Sequence, residues 1–211
     1  RGCELGVQGQ YGEIHLLGLW LPRHSAPLDA ELARLRGHRE ERNLKILDRL
    51  RSIGINIGYQ EVLDEAGGES VGRPHIARVL QKRGIVSNFA QAFELYLGYY
   101  GAAYVPRTLL TPEEGVSLMA DLGAVVSFAH PMLIRCVMFD EIIPRLKEAG
   151  LGAIEAYHSE HSARDERFCV ELAARYGLGL SGGSDYHGMA KPGVELGRGK
   201  GGLRVTVALL D

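Results

Sequence analysis

The sequence predicts an α/β protein in which a helical segment interrupts the sheet-forming chain. Three observations predict this class. Residues 1–24 contain two strand-like runs, and residues 25–107 are largely helical by their apolar spacing. Residues 108–211 alternate apolar runs with amphipathic segments, as chains that form parallel sheets do. We therefore predict a sheet domain formed by residues 1–24 and 108–211, with residues 25–107 as a helical insertion.

The first part of the chain supplies two predicted strands and the helices of the insertion. The strands are Cys3–Val7 and Glu13–Leu19, joined by a turn at Gln8–Gly12. The helices end at glycines or where the apolar spacing fails, and the longest is interrupted near Gly37. The predicted helices are Leu28–Ile53, Glu61–Ala66, Pro74–Arg83 and Asn88–Tyr96.

The last part of the chain begins with a clear helix start. Thr111 is an N-cap residue, Pro112 follows at the first helical position, and Glu114 completes a capping box. After the last predicted strand, a glycine-rich stretch leads into a β-like segment, Leu203–Leu209. The predicted elements from this helix start to the glycine-rich stretch are helix Thr111–Leu122, strand Ala124–Ala129, helix Asp140–Ala149, strand Ala153–Tyr157, helix Asp165–Tyr176 and strand Leu178–Ser181.

Composition narrows the functional classes. The 211 residues are 45% hydrophobic, enough for one sizeable core, and the net charge of −2 does not favour a stable nucleic-acid complex. Any phosphate binding must therefore be local. No apolar run approaches the ~18 residues of a membrane helix, so no membrane association is expected. Three unclustered cysteines, Cys3, Cys136 and Cys169, predict reduced thiols and a cytoplasmic protein.

Ligand-type side chains follow the last three predicted strands. The carboxyl ends of parallel strands meet at one edge of a sheet, so these side chains should lie close together. Imidazole and carboxylate groups suit a divalent manganese, iron or zinc ion. For Asp185 and His187 the alternative is an ordinary polar turn in which the aspartate caps the following backbone N–H groups. The residues are His130, His158, His161, Asp185 and His187.

The two opening strands contribute Glu4 and His15 to the same predicted site. Glu4 could instead be an ordinary exposed strand residue, and His15 a packed core histidine. His158 and His161 have two open interpretations: they line a phosphate site, or they cap the end of their strand. We predict metal binding by Glu4 and His15 because a carboxylate and an imidazole on neighbouring strands can share one cation.

Two basic groups in the insertion are candidates for phosphate binding. Arg73 and His75 begin a predicted helix, whose free N–H groups and dipole attract anions; the alternative is an ordinary helix start with polar caps. The other group recurs every three residues and predicts a basic stripe on one helix face, for which the alternative is a solvated face. Its residues are Arg36, Arg39, Arg42 and Lys45.

Six short motifs, in order, resemble the PHP (polymerase and histidinol phosphatase) family. The resemblance covers nearly all of residues 1–197. It is to the stand-alone branch that contains nucleoside 3′,5′-bisphosphate phosphatases and a 5′-to-3′ exoribonuclease. Each motif is weak alone, but six in order are specific. The motifs are Cys3–Leu5, Glu13–Gly18, Gly72–Ala77, Ala129–Pro131, Ile154–His158 and Gly183–Gly188.

The resemblance implies a distorted seven-stranded β/α barrel with a helical insertion, and a phosphoesterase site with two or three divalent metals. In that site Glu4 would bridge two metals, and His15 and His130 would complete the coordination of the second metal. Asp185 would bind the first metal and His187 a third. Manganese is the expected metal, with iron and zinc as alternatives that the same ligand set accepts.

The resemblance also implies substrate contacts. Arg39 and Arg42 match arginines that contact substrate phosphate in these phosphatases. A guanidinium group suits this role because it can form bidentate hydrogen bonds. Relatives often carry an arginine soon after the His-Pro pair, and in this chain it lies five residues past the histidine. The candidate substrate-binding residues are Arg39, Arg42, Arg73, His75, Arg135 and His161.

Family members also carry an H-x-H pair, an aspartate and a further histidine before the position of Glu4. We expect these to lie upstream of residue 1. As numbered, the chain lacks half the ligands of the first and third metals: either those residues lie upstream, as we expect, or this copy is impaired.

The predicted function is hydrolysis of phosphate from nucleoside 3′,5′-bisphosphates or RNA 5′ ends. Paired metals would activate water for in-line attack, His187 would assist the leaving oxygen, and arginines of the insertion would grip a second phosphate. Two alternatives remain: a histidinol-phosphate-type monoester phosphatase, and a non-catalytic structural module. The catalytic residues under this hypothesis are Glu4, His130, Asp185 and His187.

Overall fold

A mixed sheet of five strands forms the framework of the described structure. The strands lie in the sheet in the same order as in the sequence. The first two pairs of neighbours are antiparallel, and the last two pairs are parallel. The strands are β1 (Gly2–Gly9), β2 (Gly12–Leu19), β3 (Val125–Phe128), β4 (Leu151–His158) and β5 (Gly179–Gly183).

The structure, a computed structural model, describes all residues except 11, 69, 135–137, 189–190, 207–208 and 210–211. It divides into two compact units: Arg1–Leu28 together with Leu109–Asp211, and Asp29–Thr108. In the part of the chain described, no helix has the length and apolar character needed to cross a bilayer.

Seven α-helices are present among the described residues. The predicted capping box at α5 is confirmed: the Thr111 hydroxyl accepts the Glu114 N–H, and the Glu114 carboxylate accepts the Thr111 N–H at 2.8 Å. The helices are α1 (Ala26–Ser52), α2 (Tyr59–Ala66), α3 (Arg73–Lys82), α4 (Phe89–Ala92), α5 (Pro112–Ala120), α6 (Phe139–Glu148) and α7 (Ala163–Tyr176).

Alternation along β1 and β2 separates the core from the predicted site. Leu5 and Val7 of β1 are buried, as are Ile14 and Leu16 of β2. Helix α5 packs on this apolar face, and its Gly115 comes so close that an added Cβ would lie 2.6 Å from Val7 Cγ1. Because successive strand residues point to opposite faces, the residues between these apolar ones face away from α5.

We expect Gly115→Ala to lower the free energy of unfolding by about 1–3 kcal/mol, because the new methyl group overpacks the contact between α5 and the sheet. Gly37→Ala is the control, since Gly37 is also helical but an added Cβ would meet nothing within 4 Å. That substitution should stabilise its helix by about 0.5–1 kcal/mol. Urea unfolding of both variants measures the difference, and equal midpoints would contradict the packing argument.

The second unit has its own apolar core, formed by α1 to α4 and the π-helical turn Phe93–Leu97. Two elements differ from the prediction. Helix α1 continues through Gly37, because one mid-helix glycine costs only about 1 kcal/mol and the apolar spacing resumes beyond it. The predicted helix Asn88–Tyr96 instead changes after Ala92 from α-helix to π-helix. The buried core of the second unit includes Ile46, Leu47, Leu50, Ile76, Leu80 and Leu97.

Three predictions about the sheet have different outcomes. The α/β class is confirmed. The seven-stranded barrel is not confirmed, because the described residues form one five-stranded sheet. The prediction of a β-like segment at Leu203–Leu209 is wrong where the segment is described, since residues 203–206 form no strand. β-branched and apolar composition alone does not place a segment in a sheet, because strand formation depends on context more than on composition.

Candidate metal centre

Three predicted ligands lie together on the face of the sheet opposite α5. Glu4 Oε1 is 2.7 Å from His15 Nδ1 and 3.4 Å from His130 Nε2. The two imidazole nitrogens are 3.3 Å apart. One carboxylate oxygen and two ring nitrogens therefore converge on one point, although residues 4 and 130 are far apart in the sequence.

Strand register explains how Glu4, His15 and His130 meet. Gly6 is the β1 partner of His15, so Glu4 sits one diagonal step away on the same face. A Cβ at Gly6 would lie 3.6 Å from the His15 ring, and the absence of a side chain gives the ring room. Pairing of β2 with β3 continues one residue further, where the Ala129 N–H donates to the His15 carbonyl at 3.0 Å. His130 follows immediately, with φ of 28°.

Glu4 belongs to a second cluster, with Asp185 and His187, whose ligand atoms all lie within 4.8 Å of one another. Asp185 and His187 are two residues apart, a spacing that places side chains on one side of an extended strand, but this segment is not a strand. Strand β5 ends at Gly183, and Asp185 has φ of 51°, in the left-handed region that aspartate tolerates better than most residues. The left-handed backbone at Asp185, rather than an extended segment, accompanies the approach of both side chains to Glu4.

The donor set fits divalent metals. Two ligands about 2.1 Å from a tetrahedral ion lie about 3.4 Å apart, close to the two longer separations in the first cluster. The 2.7 Å separation of Glu4 and His15 is that of a charge-assisted hydrogen bond and would widen slightly around a shared cation. Carboxylate oxygen with imidazole nitrogen suits manganese, iron or zinc. The two clusters sharing Glu4 can hold two cations.

Charge also favours a cation here. Hydrogen bonds from His130 and His15 hold the pKa of Glu4 well below its usual range. The carboxylates of Glu13 and Glu4 raise the pKa of His15 to about 9. Burial raises the pKa of Asp185, but the ammonium of Lys191 more than offsets this, so the net shift is downward. Both carboxylates are therefore ionised at neutral pH, as metal ligands must be, and a cation at this site would displace the proton of His15.

His158 and His161 extend the site as a row of imidazoles beside His130. The ring centroids of His130 and His158 are 5.4 Å apart, and those of His158 and His161 are 5.1 Å apart. His158 Nδ1 accepts the Glu160 N–H at 3.1 Å, so the neutral ring carries its proton on Nε2, which lies 3.5 Å from Asp185 Oδ2. The Nε2 proton of His158 therefore faces the Asp185 carboxylate without forming a hydrogen bond among the described residues.

His161 has the opposite tautomer. Its Nδ1 lies 2.9 Å from the Ala156 carbonyl and must donate to it, so Nε2 carries the lone pair. This Nε2 is buried and has no hydrogen-bond partner among the described residues. The strand-capping interpretation explains the Nδ1 contact, and the predicted role of His161 in substrate binding remains a proposal.

The buried His158 gives a test by pH in chelator-treated protein. Burial lowers the pKa of His158 to about 4, below the ~6.5 of an unfolded histidine. The neutral ring therefore contributes stability that is fully present above pH ~6.5 and is lost as pH falls toward 4. We expect wild type to lose on the order of 2 kcal/mol more than His158→Gln between pH 7 and pH 5. Urea unfolding at both pH values measures this.

Histidine 24 supplies the control for that experiment, because its side chain is exposed. His24→Gln should keep the pH dependence of wild type. Parallel pH profiles for wild type and His158→Gln would show that His158 is not the group responsible.

Glu155 is a site residue that the sequence analysis missed. It is 4% exposed, and its Oε2 accepts the His130 N–H at 2.7 Å. Burial raises its pKa to about 7, and the nearby Asp185 and Glu4 carboxylates add to the shift. The contact fixes the backbone of His130 at the end of β3. A carboxylate inside an otherwise apolar strand was the available signal, because buried charges are rare unless paired.

Glu13 and Lys191 were also missed. Glu13 Oε1 lies 3.7 Å from His15 Nε2, so it orients the ring whose other nitrogen faces Glu4. The spacing of Glu13 and His15, two residues apart on one strand, was a usable signal. Lys191 Nζ lies 2.5 Å from Asp185 Oδ2. Nothing in the glycine-rich sequence around Lys191 indicated this contact.

The predicted substrate-binding residues of the insertion have partners within the second unit. Arg39 donates to the Ser70 hydroxyl at 2.6 Å, and Arg42 donates to the Val105 carbonyl at 2.8 Å. Arg42 is only 6% exposed, so the predicted stripe is not one solvated face. A spacing of three residues falls short of a full helical turn, so the four side chains do not share one face: Arg42 is buried, whereas Lys45 is exposed.

The helix start at Arg73 is confirmed, with His75 buried beside it. The Gly72 N–H donates to His75 Nδ1 at 3.1 Å, and Arg73 donates to the Leu97 carbonyl at 3.0 Å. The polar-cap interpretation therefore explains the His75 contact. Arg135, the remaining predicted substrate contact, lies outside the described residues.

No family model matches the chain. Individual relatives do. The chain is 28% identical to a phosphoribosyl 1,2-cyclic phosphate 1,2-diphosphodiesterase of Eggerthella lenta, covering 83% of this chain and 67% of the relative. It is 29% identical to the 5′-3′ exoribonuclease Rnm of Escherichia coli, with coverage of 93% and 68%. A 3′,5′-nucleoside bisphosphate phosphatase of Chromobacterium violaceum is 27% identical, with coverage of 93% and 70%.

Structural similarity agrees with these relatives. A crystal structure described as a metal-dependent phosphoesterase, from Bifidobacterium adolescentis, superposes with a TM-score of 0.78 at 27% identity, covering 94% of this chain and 71% of that one. These proteins are phosphoester hydrolases, and the similarity extends over most of this chain. The predicted resemblance and the predicted enzyme class are therefore confirmed, and so is the expectation of a divalent metal.

Proposed function

We propose that this chain, similar in sequence and fold to the stand-alone phosphoesterases of the PHP family, hydrolyses nucleoside 3′,5′-bisphosphates or RNA 5′ ends with divalent metals. The single observation that carries the proposal is the position of Glu4. Its carboxylate belongs both to the cluster with His15 and His130 and to the cluster with Asp185 and His187. A carboxylate shared by two cation sites is suited to a two-metal hydrolase.

Manganese is the metal we propose, with iron and zinc accepted by the same donors. A divalent cation supplies Lewis-acid polarisation of a phosphoryl oxygen and activates water near neutral pH. The protein supplies position and charge. Glu4 and Asp185 provide ionised oxygens, Glu13 orients the His15 ring, and Glu155 fixes the His130 backbone.

His187 is the proposed group at the leaving oxygen. Its Nδ1 lies 3.0 Å from the Asp185 carbonyl and 3.2 Å from the Asp185 carboxylate, and its side chain is 55% exposed. An exposed ring held at its Nδ1 can present the opposite nitrogen to a ligand. That nitrogen would hold either a cation of the second cluster or a proton, and either one would assist the departing oxygen.

The substrate class is supported by the relatives, which include an exoribonuclease and a nucleoside bisphosphate phosphatase. In this proposal the guanidinium groups of Arg39, Arg42 and Arg73 bind a second phosphate, and His75 assists them. That binding would favour bisphosphorylated nucleotides over simple monoesters.

Two further proposals concern the fold and the location of the enzyme. The resemblance implies that the sheet belongs to a seven-stranded barrel, and the unclustered cysteines indicate that the enzyme is cytoplasmic.

The test is phosphate release from a substrate panel, with added manganese and with chelator. The panel contains adenosine 3′,5′-bisphosphate, a short 5′-phosphorylated RNA, a cyclic phosphodiester and histidinol phosphate. We expect manganese-dependent release from the first two substrates and release near background with chelator. Release that persists in chelator would refute the metal mechanism. Preference for histidinol phosphate would refute the substrate class, and bound metal without release from any substrate would indicate a structural role.

A further inference from the structure

Lys191 occupies a position that the proposed chemistry has not used. Its ammonium nitrogen is 2.5 Å from Asp185 Oδ2 and 3.5 Å from Glu160 Oε1. Its side chain is 27% exposed, so the ammonium is reachable from solvent while it touches a residue of the second metal cluster. An ammonium group has three donors, and these two carboxylates do not use all of them.

When a metal binds, the Asp185 carboxylate would have to contact two positive charges, the metal ion and the Lys191 ammonium. A divalent ion in the cluster with Glu4 and His187 would draw on the same carboxylate that holds Lys191, and the two positive charges would repel each other. The bond between Lys191 and Asp185 is therefore weakened when the cluster binds a metal. Glu160 is not part of either metal cluster, and it keeps an attractive charge beside Lys191 after that bond weakens.

A phosphate group is the natural new partner. A substrate phosphate bound at the cluster carries negative charge within reach of a side chain that already contacts the Asp185 carboxylate. Lysine binds phosphate as a compact point charge, and its flexible stem lets the ammonium move by the small distance required.

We infer that Lys191 is a phosphate-binding residue that changes partner during ligand binding. In the metal-free protein its ammonium holds Asp185 in place. With Asp185 bound to a cation, the ammonium donates to the substrate phosphate, while Glu160 keeps it at the site. This inference rests on the proposed phosphoesterase function and adds a substrate contact from the sheet unit.

The inference predicts opposite changes in two affinities, which a purely structural role would not produce. In Lys191→Met, manganese should bind about threefold to tenfold more tightly, because a competing positive charge is gone. Inorganic phosphate should bind the manganese-loaded protein about tenfold more weakly, because a charge-assisted donor is gone. Isothermal titration calorimetry measures both affinities without any turnover.

Lys200→Met is the matched control. Lys200 Nζ lies 3.4 Å from the same Glu160 oxygen, so the variant removes the same formal charge from the same carboxylate. Both affinities should stay within about twofold of wild type, since exposed ion pairs contribute little. Circular dichroism and thermal melting establish that each variant is folded.

Several results would overturn the inference. One is a loss of both affinities in Lys191→Met, which would indicate general damage to the site. Another is unchanged phosphate affinity, which would leave Lys191 as a partner of Asp185 only. Equal effects in Lys200→Met would indicate a long-range charge effect. Failure of the proposed function is seen separately, as absence of phosphate release from the wild-type panel. A wild type that binds no manganese would overturn both.

Discussion

Glu4→Gln should lower kcat/KM for phosphate release by roughly a thousandfold or more, about 4 kcal/mol in activation free energy. The amide has one poor metal-binding end and no charge, so both clusters lose their shared ligand at once. We also expect the bound metal content to fall to near zero. Steady-state kinetics and elemental analysis of the purified variant measure the two effects.

Glu13→Gln is the matched comparison for Glu4→Gln. It makes the same chemical change on the neighbouring strand, but Glu13 contacts His15 through the nitrogen that faces away from Glu4. We expect a loss of about tenfold to a hundredfold in metal affinity, the usual range for a residue that orients a ligand. If the two variants behaved alike, Glu4 would not be the shared ligand.

Asp185→Asn should remove one metal equivalent and leave the other. Asp185 belongs to the cluster with Glu4 and His187, whereas His15 and His130 hold the other group around Glu4. We expect kcat to fall by roughly a hundredfold to a thousandfold, because one cation alone polarises the phosphoryl oxygens less well. Manganese titration, followed by its paramagnetic resonance signal, counts the remaining sites.

Glu160→Gln serves as the comparison for Asp185→Asn. Both carboxylates contact Lys191, but Glu160 lies outside the two metal clusters. Its metal stoichiometry should therefore equal that of wild type. A variant of Asp185 that still bound the full complement of metal would contradict the assignment of the second cluster.

The sequence was a good guide to the sheet unit because local signals there agree with tertiary packing. Apolar runs such as Ala124–Ala129, and caps such as Thr111 with Glu114, specify their elements without help from distant residues. Helix α1 shows the opposite case. Gly37 signalled an interruption, but burial of the apolar face beyond it outweighs the small cost of one glycine.

The candidate ligands could be anticipated, but their supporting residues were harder to see. His130 and Asp185 follow strands, and a strand end is a position that can be identified in the sequence. Glu155 and Lys191 act through contacts with a backbone N–H and a carboxylate that only the folded chain brings near. Spacing could not predict the backbone of Asp185 either, because a left-handed conformation is uncommon outside glycine.

One feature of the sheet links metal binding to local dynamics. Glu4 lies on β1, which among the described strands pairs with β2 alone. Transient fraying of β1 would therefore separate the shared carboxylate from both histidines and from Asp185 in a single event. By thermodynamic linkage, cation occupancy must suppress that fraying. The amide protons of β1 then become reporters of occupancy, because their exchange with deuterium slows in proportion to how tightly the ions are held.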